Sequence, residues 1–358
     1  MVTRERHGVK GRGAQANTPI RFFTETRAAF DDGWTGDDAV PPPLRTSVTE
    51  EQARSIISYN QSPDLPFERS INPYRGCEHG CIYCYARPTH AYLDLSPGLD
   101  FESRLFAKPN AAALLRNELA KPGYVCRQIA LGTNTDPYQP IERSFGITRR
   151  IIEVLWESRH PLSIVTKSSL VERDLDLLAP MARENLVEAY VSITTLDRAL
   201  ARRMEPRASA PQRRLETVKR LSAAGIPAGV LFAPVIPALN DAEMESILEA
   251  AANAGARYAG YVLLRLPHEV KSLFEEWLQV HEPLKAARIM NRVRDMRGGQ
   301  ENDPQFGTRM RGTGIFAEVL RNRFNLACKR HGLTRSARAL DTSKFKPPRA
   351  LGPQLTLF

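Results

Sequence analysis

The chain has 358 residues, with 50 Lys+Arg against 40 Asp+Glu, a formal net charge of +10 and five cysteines. That length suits one α/β barrel with extensions, and no apolar run approaches the length needed to cross a bilayer. Three of the cysteines fall within eight residues, leaving no even disulfide framework, and the start Met1 to Arg12 lacks the apolar core of a signal peptide, so a reduced, cytoplasmic setting is expected.

Residues 1 to about 60 are rich in Arg, Gly, Thr and Pro, with Pro41, Pro42 and Pro43 in a row, and read as a loosely structured arm. From Ser70 onward, short β-branched runs alternate with amphipathic stretches, the signature of repeated βα units and a parallel sheet. Six strands are predicted: Ser70 to Tyr74, Gln128 to Thr133, Leu162 to Lys167, Ala189 to Thr194, Ala228 to Pro234 and Tyr258 to Arg265. Helices are predicted over Thr148 to Arg159, Arg173 to Glu184, Gln212 to Ala224 and Asp241 to Ala254. Asn240 and Glu243 have the spacing of a capping box, and Gly225 and Gly255 stand where helices should stop. The core region therefore runs over 61–280, followed by a basic helical extension over 281–340 and a tail over 341–358.

Residues 72–85 pack Cys77, Cys81 and Cys84 into one CxxxCxxC loop. Thiolates select zinc, copper(I) or iron-sulfur clusters, and an uneven three-then-two spacing with no fourth cysteine nearby suits a 4Fe-4S cluster with one iron left open. A zinc knuckle completed by His79 or His90 is the alternative, although no second ligand pair follows at zinc-finger spacing. Tyr83 and Tyr85 interleave the thiols, where their rings either shield a cluster or simply pack.

In a parallel barrel, active residues gather at the C-terminal ends of the strands, where the loops converge. The loop after the second strand holds Thr135 and Asp136, able to bond an amine or ribose hydroxyls or to serve as a cap and turn. The third strand ends at Lys167, whose ammonium suits a carboxylate. In the fourth, Ser192 and Thr194 alternate and so face the same side.

The CxHGCxYCYAR-type loop, the TDPYQPIE segment, the TKS strand end and the PVIPxLND segment at 234–241 resemble the radical S-adenosylmethionine (SAM) superfamily. Within it they are similar to the bacterial SplB-like proteins grouped with spore photoproduct lyase. The likeness covers roughly residues 65–270, and extends more weakly to 11–14 and 301–314. It implies a partial (β/α)6 barrel, a 4Fe-4S cluster on Cys77, Cys81 and Cys84, and SAM chelated to the open iron and cleaved to a 5'-deoxyadenosyl radical, with electrons from a donor such as flavodoxin or ferredoxin. Thr135, Asp136, Lys167 and Ser192 become candidate SAM contacts by position, with Thr194 and Tyr85 beside them. One departure stands out: where the lyase carries a hydrogen-donating cysteine this chain has Thr133, and Cys126, just before the same strand, reads as core packing.

The excess charge is concentrated at the C-terminal end, where residues 281–358 hold 16 Lys+Arg against 6 Asp+Glu. Such a field favours a polyanion, and DNA is the expected partner. Helices are predicted over Leu284 to Met296 and Ile315 to Arg330, with a Gly/Arg segment between them that either approaches a phosphate backbone or closes the barrel's open edge. The last residues, Gln354, Leu355, Thr356, Leu357 and Phe358, resemble the peptide that docks on the DNA polymerase III sliding clamp. The expected function is a radical SAM enzyme acting on nucleic acid in DNA repair. Action on RNA, a peptide or a small metabolite, or a non-catalytic DNA-associated metal module, are the alternatives.

Overall fold

Strands that are apolar on successive residues need cover on both faces, and the central strands of this protein are of that kind. The computed structural model describes residues 9–22, 44–335 and 339–349. Its strands are β1 Ser47–Glu50, β2 Ile57–Tyr59, β3 Arg69–Ile71, β4 Tyr74–Arg75, β5 Arg104–Ala107, β6 Ile129–Leu131, β7 Leu162–Thr166, β8 Val187–Ser192, β9 Ala228–Val235 and β10 Tyr258–Leu263. All three residues of β6 are buried, as are all but one in each of β7 and β8.

The larger sheet has the order β10-β9-β8-β7-β6-β3-β2. Its six strands from β3 to β10 pair in parallel, and β2 adds antiparallel to β3. These six match the six predicted βα units, an open, partial (β/α)6 barrel with β10 at one edge and β2 at the other. The predicted helices are found as Ile147–Glu157, Leu175–Arg183, Pro211–Ala223 and Met244–Asn253. Ile147–Glu157 buries Ile147, Ile151, Ile152, Val154 and Leu155, a stripe at helical spacing that covers the sheet. Gly225 and Gly255, with φ of +77° and +97°, take the left-handed turn that ends the two helices before them.

Three local expectations are corrected. The strand expected over Ser70 to Tyr74 stops at Ile71, because Pro73 offers no N–H to the ladder; Tyr74–Arg75 turns away to pair antiparallel with β5 in a separate three-stranded sheet. The N-terminal sixty residues are not loose throughout: β1 pairs with β5, β2 with β3, and Arg12, Gly13 and Ala14 are buried. The run Pro41 to Pro43 lies outside the described residues. The capping box at Asn240 and Glu243 does not form. Asn240 is buried and ties the Ile236 N–H (2.6 Å) to the carbonyls of Thr194 (2.8 Å) and Pro234 (3.0 Å). Glu243 accepts from the Thr195 hydroxyl (2.6 Å) and the Leu196 N–H (2.7 Å). Both side chains are drawn across to the end of β8, where the buried backbone has otherwise unpaired groups.

A second apolar core lies beyond the C-terminal ends of the strands. There Leu273, Phe274, Trp277 and Leu278 of the helix Val270–His281, which was not anticipated, and Ile289 and Val293 of Pro283–Asp295 pack against Ile82 and Tyr83. The cysteine loop is therefore seated on a helical layer at the barrel mouth. The basic extension forms the expected helices, as Pro283–Asp295 and Gly314–Arg330. Many of its cations are engaged within the protein: Arg323 with Glu245 (2.7 Å), Arg309 with Asp64 (2.6 Å), Arg294 with Glu301 (3.0 Å) and Lys285 with Glu282 (3.2 Å). The Gly/Arg segment joins the two sheet edges. Met310 O accepts from Leu263 N (3.0 Å) at the end of β10, while Gly307 N and Arg309 reach Asp64 and Ser62 just beyond β2. No helix among the described residues is long and apolar enough to cross a membrane.

Candidate active site

The cysteine loop has almost no regular secondary structure, so its shape is set by bonds from other elements. Cys77 N donates to Phe101 O (2.9 Å), Ile82 N to Met204 O (3.0 Å) and Cys84 N to Cys81 O (3.2 Å). Arg87, fully buried, donates from Nε to Cys81 O (2.9 Å), from Nη1 to the carbonyls of Pro97 and Gly98, and pairs with the buried Glu102. Glu102 also accepts from the N–H groups of Gly13 (2.9 Å) and Ala14 (2.8 Å). This strand of backbone passes so close that a Cβ on Gly13 would stand 1.8 Å from Gly80 O. Residues 11–14 are thus a strap across the cysteine loop, and only glycine fits at position 13.

The segment 135–142 buttresses the loop from the other side. Gln139, buried, accepts from Glu78 N (2.9 Å) and donates to Gly76 O (3.1 Å), bracketing Cys77. The Thr135 hydroxyl donates to Tyr74 O (3.0 Å), and Tyr74 OH donates to the buried Glu142. Asp136 accepts from Tyr138 N (2.9 Å), the Thr166 hydroxyl (2.7 Å) and Lys167 N (2.7 Å), and faces His79 Nδ1 at 3.4 Å. Burial raises the Asp136 carboxyl, but the His79 charge and these bonds outweigh it and hold it below the usual carboxylate range. Expected as SAM contacts, Thr135 and Asp136 have their polar atoms turned to the protein, because the loop they support has no secondary structure of its own. His79 is engaged with Asp136, and His90 Nε2 with Arg104 O (2.9 Å).

At the ends of β7 and β8 the structure brings together Lys167, Ser192 and Thr194. Lys167 Nζ donates to the Ser192 hydroxyl (3.1 Å) and lies 5.8 Å from the centre of the Tyr83 ring. The Thr194 hydroxyl donates to Glu205 (2.7 Å) and stands 3.2 Å from Tyr83 OH, which also donates to Glu205. Glu205 and Arg214 form an ion pair with both side chains almost wholly inaccessible, and Arg214 further donates to Ser192 O (2.9 Å) and Ser209 O (2.7 Å). Burial raises the Glu205 carboxyl, but the charges of Arg214 and Lys167 and the bonds from Arg214 and Tyr83 bring it down to about 2. Sequence reasoning missed Glu205, Arg214 and Gln139. The signal available for the pair was a carboxylate and a guanidinium nine residues apart around a helix start, which is indistinguishable from surface charge without the fold.

Tyr85, next to Cys84, is half exposed. Its hydroxyl donates to Thr133 O after β6, and Arg265, two residues past β10, stands 5.6 Å over its ring, so Tyr85 crosses the mouth. Cys126 precedes β6 and so lies at the opposite end of the barrel.

Burial raises all three loop thiols, Cys77 well above its ordinary value, Cys81 to about 12 and Cys84 less far. A thiolate in such surroundings needs a cationic centre as its partner, and three soft donors on one fixed loop suit an iron-sulfur cluster. The residues present fit that group.

An open six-stranded parallel barrel with a three-thiol loop seated over its mouth defines a class of α/β enzyme. Residues 71–251 match the model of the Radical SAM superfamily, and the chain belongs to that family: it is a radical SAM enzyme. It is 38% identical over 263 residues to an uncharacterized protein of Mycobacterium tuberculosis, covering 72% of this chain and 76% of that one. An uncharacterized protein of Methanocaldococcus jannaschii is 30% identical over 199 residues, 56% of this chain and 71% of that one. Among solved structures, spore photoproduct lyase complexed with dinucleoside spore photoproduct shares the fold, with a TM-score of 0.59, 16% identity and coverage of 80% and 81%. A mutant of that lyase with bound AdoMet and the same dinucleoside aligns with a TM-score of 0.59, 15% identity and 82% coverage of each chain.

Proposed function

We propose that the protein cleaves SAM reductively at a 4Fe-4S cluster held by Cys77, Cys81 and Cys84, and that its substrate is a nucleic acid, in DNA repair. The observation that carries this is the fixed CxxxCxxC loop facing Lys167, Ser192 and Thr194 across the barrel mouth. When bound, the cluster supplies an electron and an open iron for SAM, and so a 5'-deoxyadenosyl radical. The chain's own residues do the rest. Lys167, the cation nearest the loop on its strand end, pairs with the SAM carboxylate, while Ser192 holds the Lys167 ammonium. Tyr85 lies across the mouth, Thr194 holds Tyr83 and Glu205 from behind, and the helical layer behind Tyr83 keeps water out. A flavodoxin or ferredoxin is the proposed electron donor and the cytoplasm the proposed setting. Docking on the polymerase III clamp through Gln354, Leu355, Leu357 and Phe358 falls outside the described residues and rests on the sequence.

Anaerobic reconstitution followed by dithionite and SAM yields 5'-deoxyadenosine on this reading, and an intact cluster giving no product sinks it. Cys84→Ala loses the iron and all product. Lys167→Ala retains the iron and raises the KM for SAM about tenfold or more, the scale of a lost charge-assisted contact. Internal pairing of the basic extension favours a second reading, in which it is structural and the substrate is RNA, a peptide or a small metabolite. Salt-insensitive binding of DNA that is unchanged when the exposed Arg288, Lys329 and Arg330 are replaced by Gln would select it.

A further inference from the structure

Two arginines at the end of β10 behave oppositely. Arg297 is buried and fully employed: it donates to Leu264 O (2.7 Å), Arg309 O (2.7 Å) and Thr308 O (3.4 Å), stapling the 305–312 segment to the strand end. Arg265 is half-buried, and its Nε is enclosed without a hydrogen-bond partner. Among the described residues its guanidinium makes no hydrogen bond or ion pair. Asp64 and Asp303 act on it only at a distance, and Asp64 already holds Arg309. Burial together with the charge of Arg309 lowers the Arg265 pKa, so the group is held in its cationic form at a cost that an incoming anion would relieve.

The surroundings indicate which anion. Beneath Arg265 lies the half-exposed ring of Tyr85, adjacent in sequence to Cys84. On the segment that bridges the sheet edges, the exposed ring of Phe306 is stacked under Arg309 at 4.5 Å. A guanidinium with unused donors over one exposed ring, with a second exposed ring on the segment stapled to the same strand end, has the makeup of a site for one phosphodiester between two bases. The donors take the phosphate oxygens and the rings give sequence-tolerant stacking.

We infer that Arg265 is the phosphodiester subsite of this enzyme, binding the linkage between two adjacent nucleotides so that the sugar and base beside it face Cys84 through Tyr85. This rests on the nucleic-acid reading above and deepens it. It separates a local contact with the substrate from the diffuse charge of the C-terminal extension, many of whose cations are engaged within the protein.

The test uses the full-length reconstituted protein and two probes, the dinucleotide TpT and its uncharged methylphosphonate analogue, titrated calorimetrically without air. The wild-type protein is expected to bind TpT about tenfold more tightly than the neutral analogue, as one charged hydrogen-bonded contact allows. Arg265→Gln brings that ratio close to one, and Arg265→Lys, which keeps the charge but loses the planar fork, retains part of it. Arg288→Gln, an exposed cation on Pro283–Asp295, leaves the ratio as in the wild type. Equal wild-type affinity for the two probes, no binding of either, or an unchanged ratio in Arg265→Gln overturns the subsite. If both probes bind with equal affinity, or the ratio is unchanged in Arg265→Gln, the subsite fails alone; if neither probe binds, the nucleic-acid reading fails with it.

Discussion

The two ends of the barrel are built from the same strands but held by opposite means. At the N-terminal end, Phe345 closes the barrel with its ring 5.4 Å from Tyr124 and 5.5 Å from His160, and Lys346 N bonds Ser158 O (2.9 Å). Tyr124 OH meets His160 Nε2 at 2.9 Å, burial drives His160 down to about 4, and the Arg69 guanidinium packs over the Tyr124 ring at 4.8 Å, so this end is closed by aromatic rings around that cation. At the mouth, the buried pairs Glu205–Arg214 and Arg87–Glu102 and the Lys167 ammonium sit within one shell of the cysteine loop. Buried ion pairs contribute little net stability and often less than apolar side chains of the same volume. A protein that closes one end with aromatics and the other with charge keeps the charge for orientation, here of a loop that must present three thiols and a cofactor site in fixed geometry.

The contrast can be broken most severely at Glu205. Glu205→Ala leaves Arg214 charged and buried, and a loss of about 3–5 kcal/mol in unfolding free energy is expected from urea titration. Replacing both partners, Glu205→Met with Arg214→Met, should recover much of that stability while the iron site loosens, seen as a changed cluster EPR signal. Full stability in the single variant would show that the pair is not the constraint inferred.

The opposite end responds to pH. His160 has a folded pKa of about 4 against an ordinary value of 6.5. Below pH 6.5 the unfolded chain therefore binds a proton that the folded one refuses, and stability falls as pH drops from 6.5 towards 4, by up to about 3 kcal/mol, then levels off. In His160→Gln that acid-dependent portion should disappear from the pH profile of denaturation, whereas an unaltered profile would assign it to other groups.

A smaller effect is expected at the strap over the cysteine loop. Gly13→Ala drives a Cβ into the Gly80 carbonyl, and overpacking of this kind costs about 1–3 kcal/mol. Hydrogen exchange should then quicken at the amides of Gly13 and Ala14, which lose Glu102. A local change of similar or smaller size is Arg309→Ala, about 1–2 kcal/mol for a largely buried, hydrogen-bonded ion pair with Asp64, read as faster exchange at Gly307 N and no change at the barrel's far end.

Much of the barrel was legible because its signals are local. β-branched runs, amphipathic stripes and stop glycines place each βα unit, and strand ends converge in any parallel barrel, which is why Lys167, Ser192 and Thr194 could be selected and are found together. Asn240 and Glu243 misled for the same reason. Their spacing satisfies a local capping rule, but buried backbone at the end of β8, more than forty residues away, claims them instead. Thr135 and Asp136 were placed at the mouth correctly, while the direction of their side chains depended on the needs of a loop sixty residues earlier.

From the chain alone come three soft donors on one short loop, since ligand type and spacing are properties of neighbouring residues, and the family, since its motifs are contiguous. The tertiary structure alone decided which charges are buried. It selected Glu205 and Arg214 from ordinary-looking polar stretches, turned much of the basic extension into internal staples, and left Arg265 without a partner. Burial and pairing are sums over distant contacts, and no window of sequence contains them.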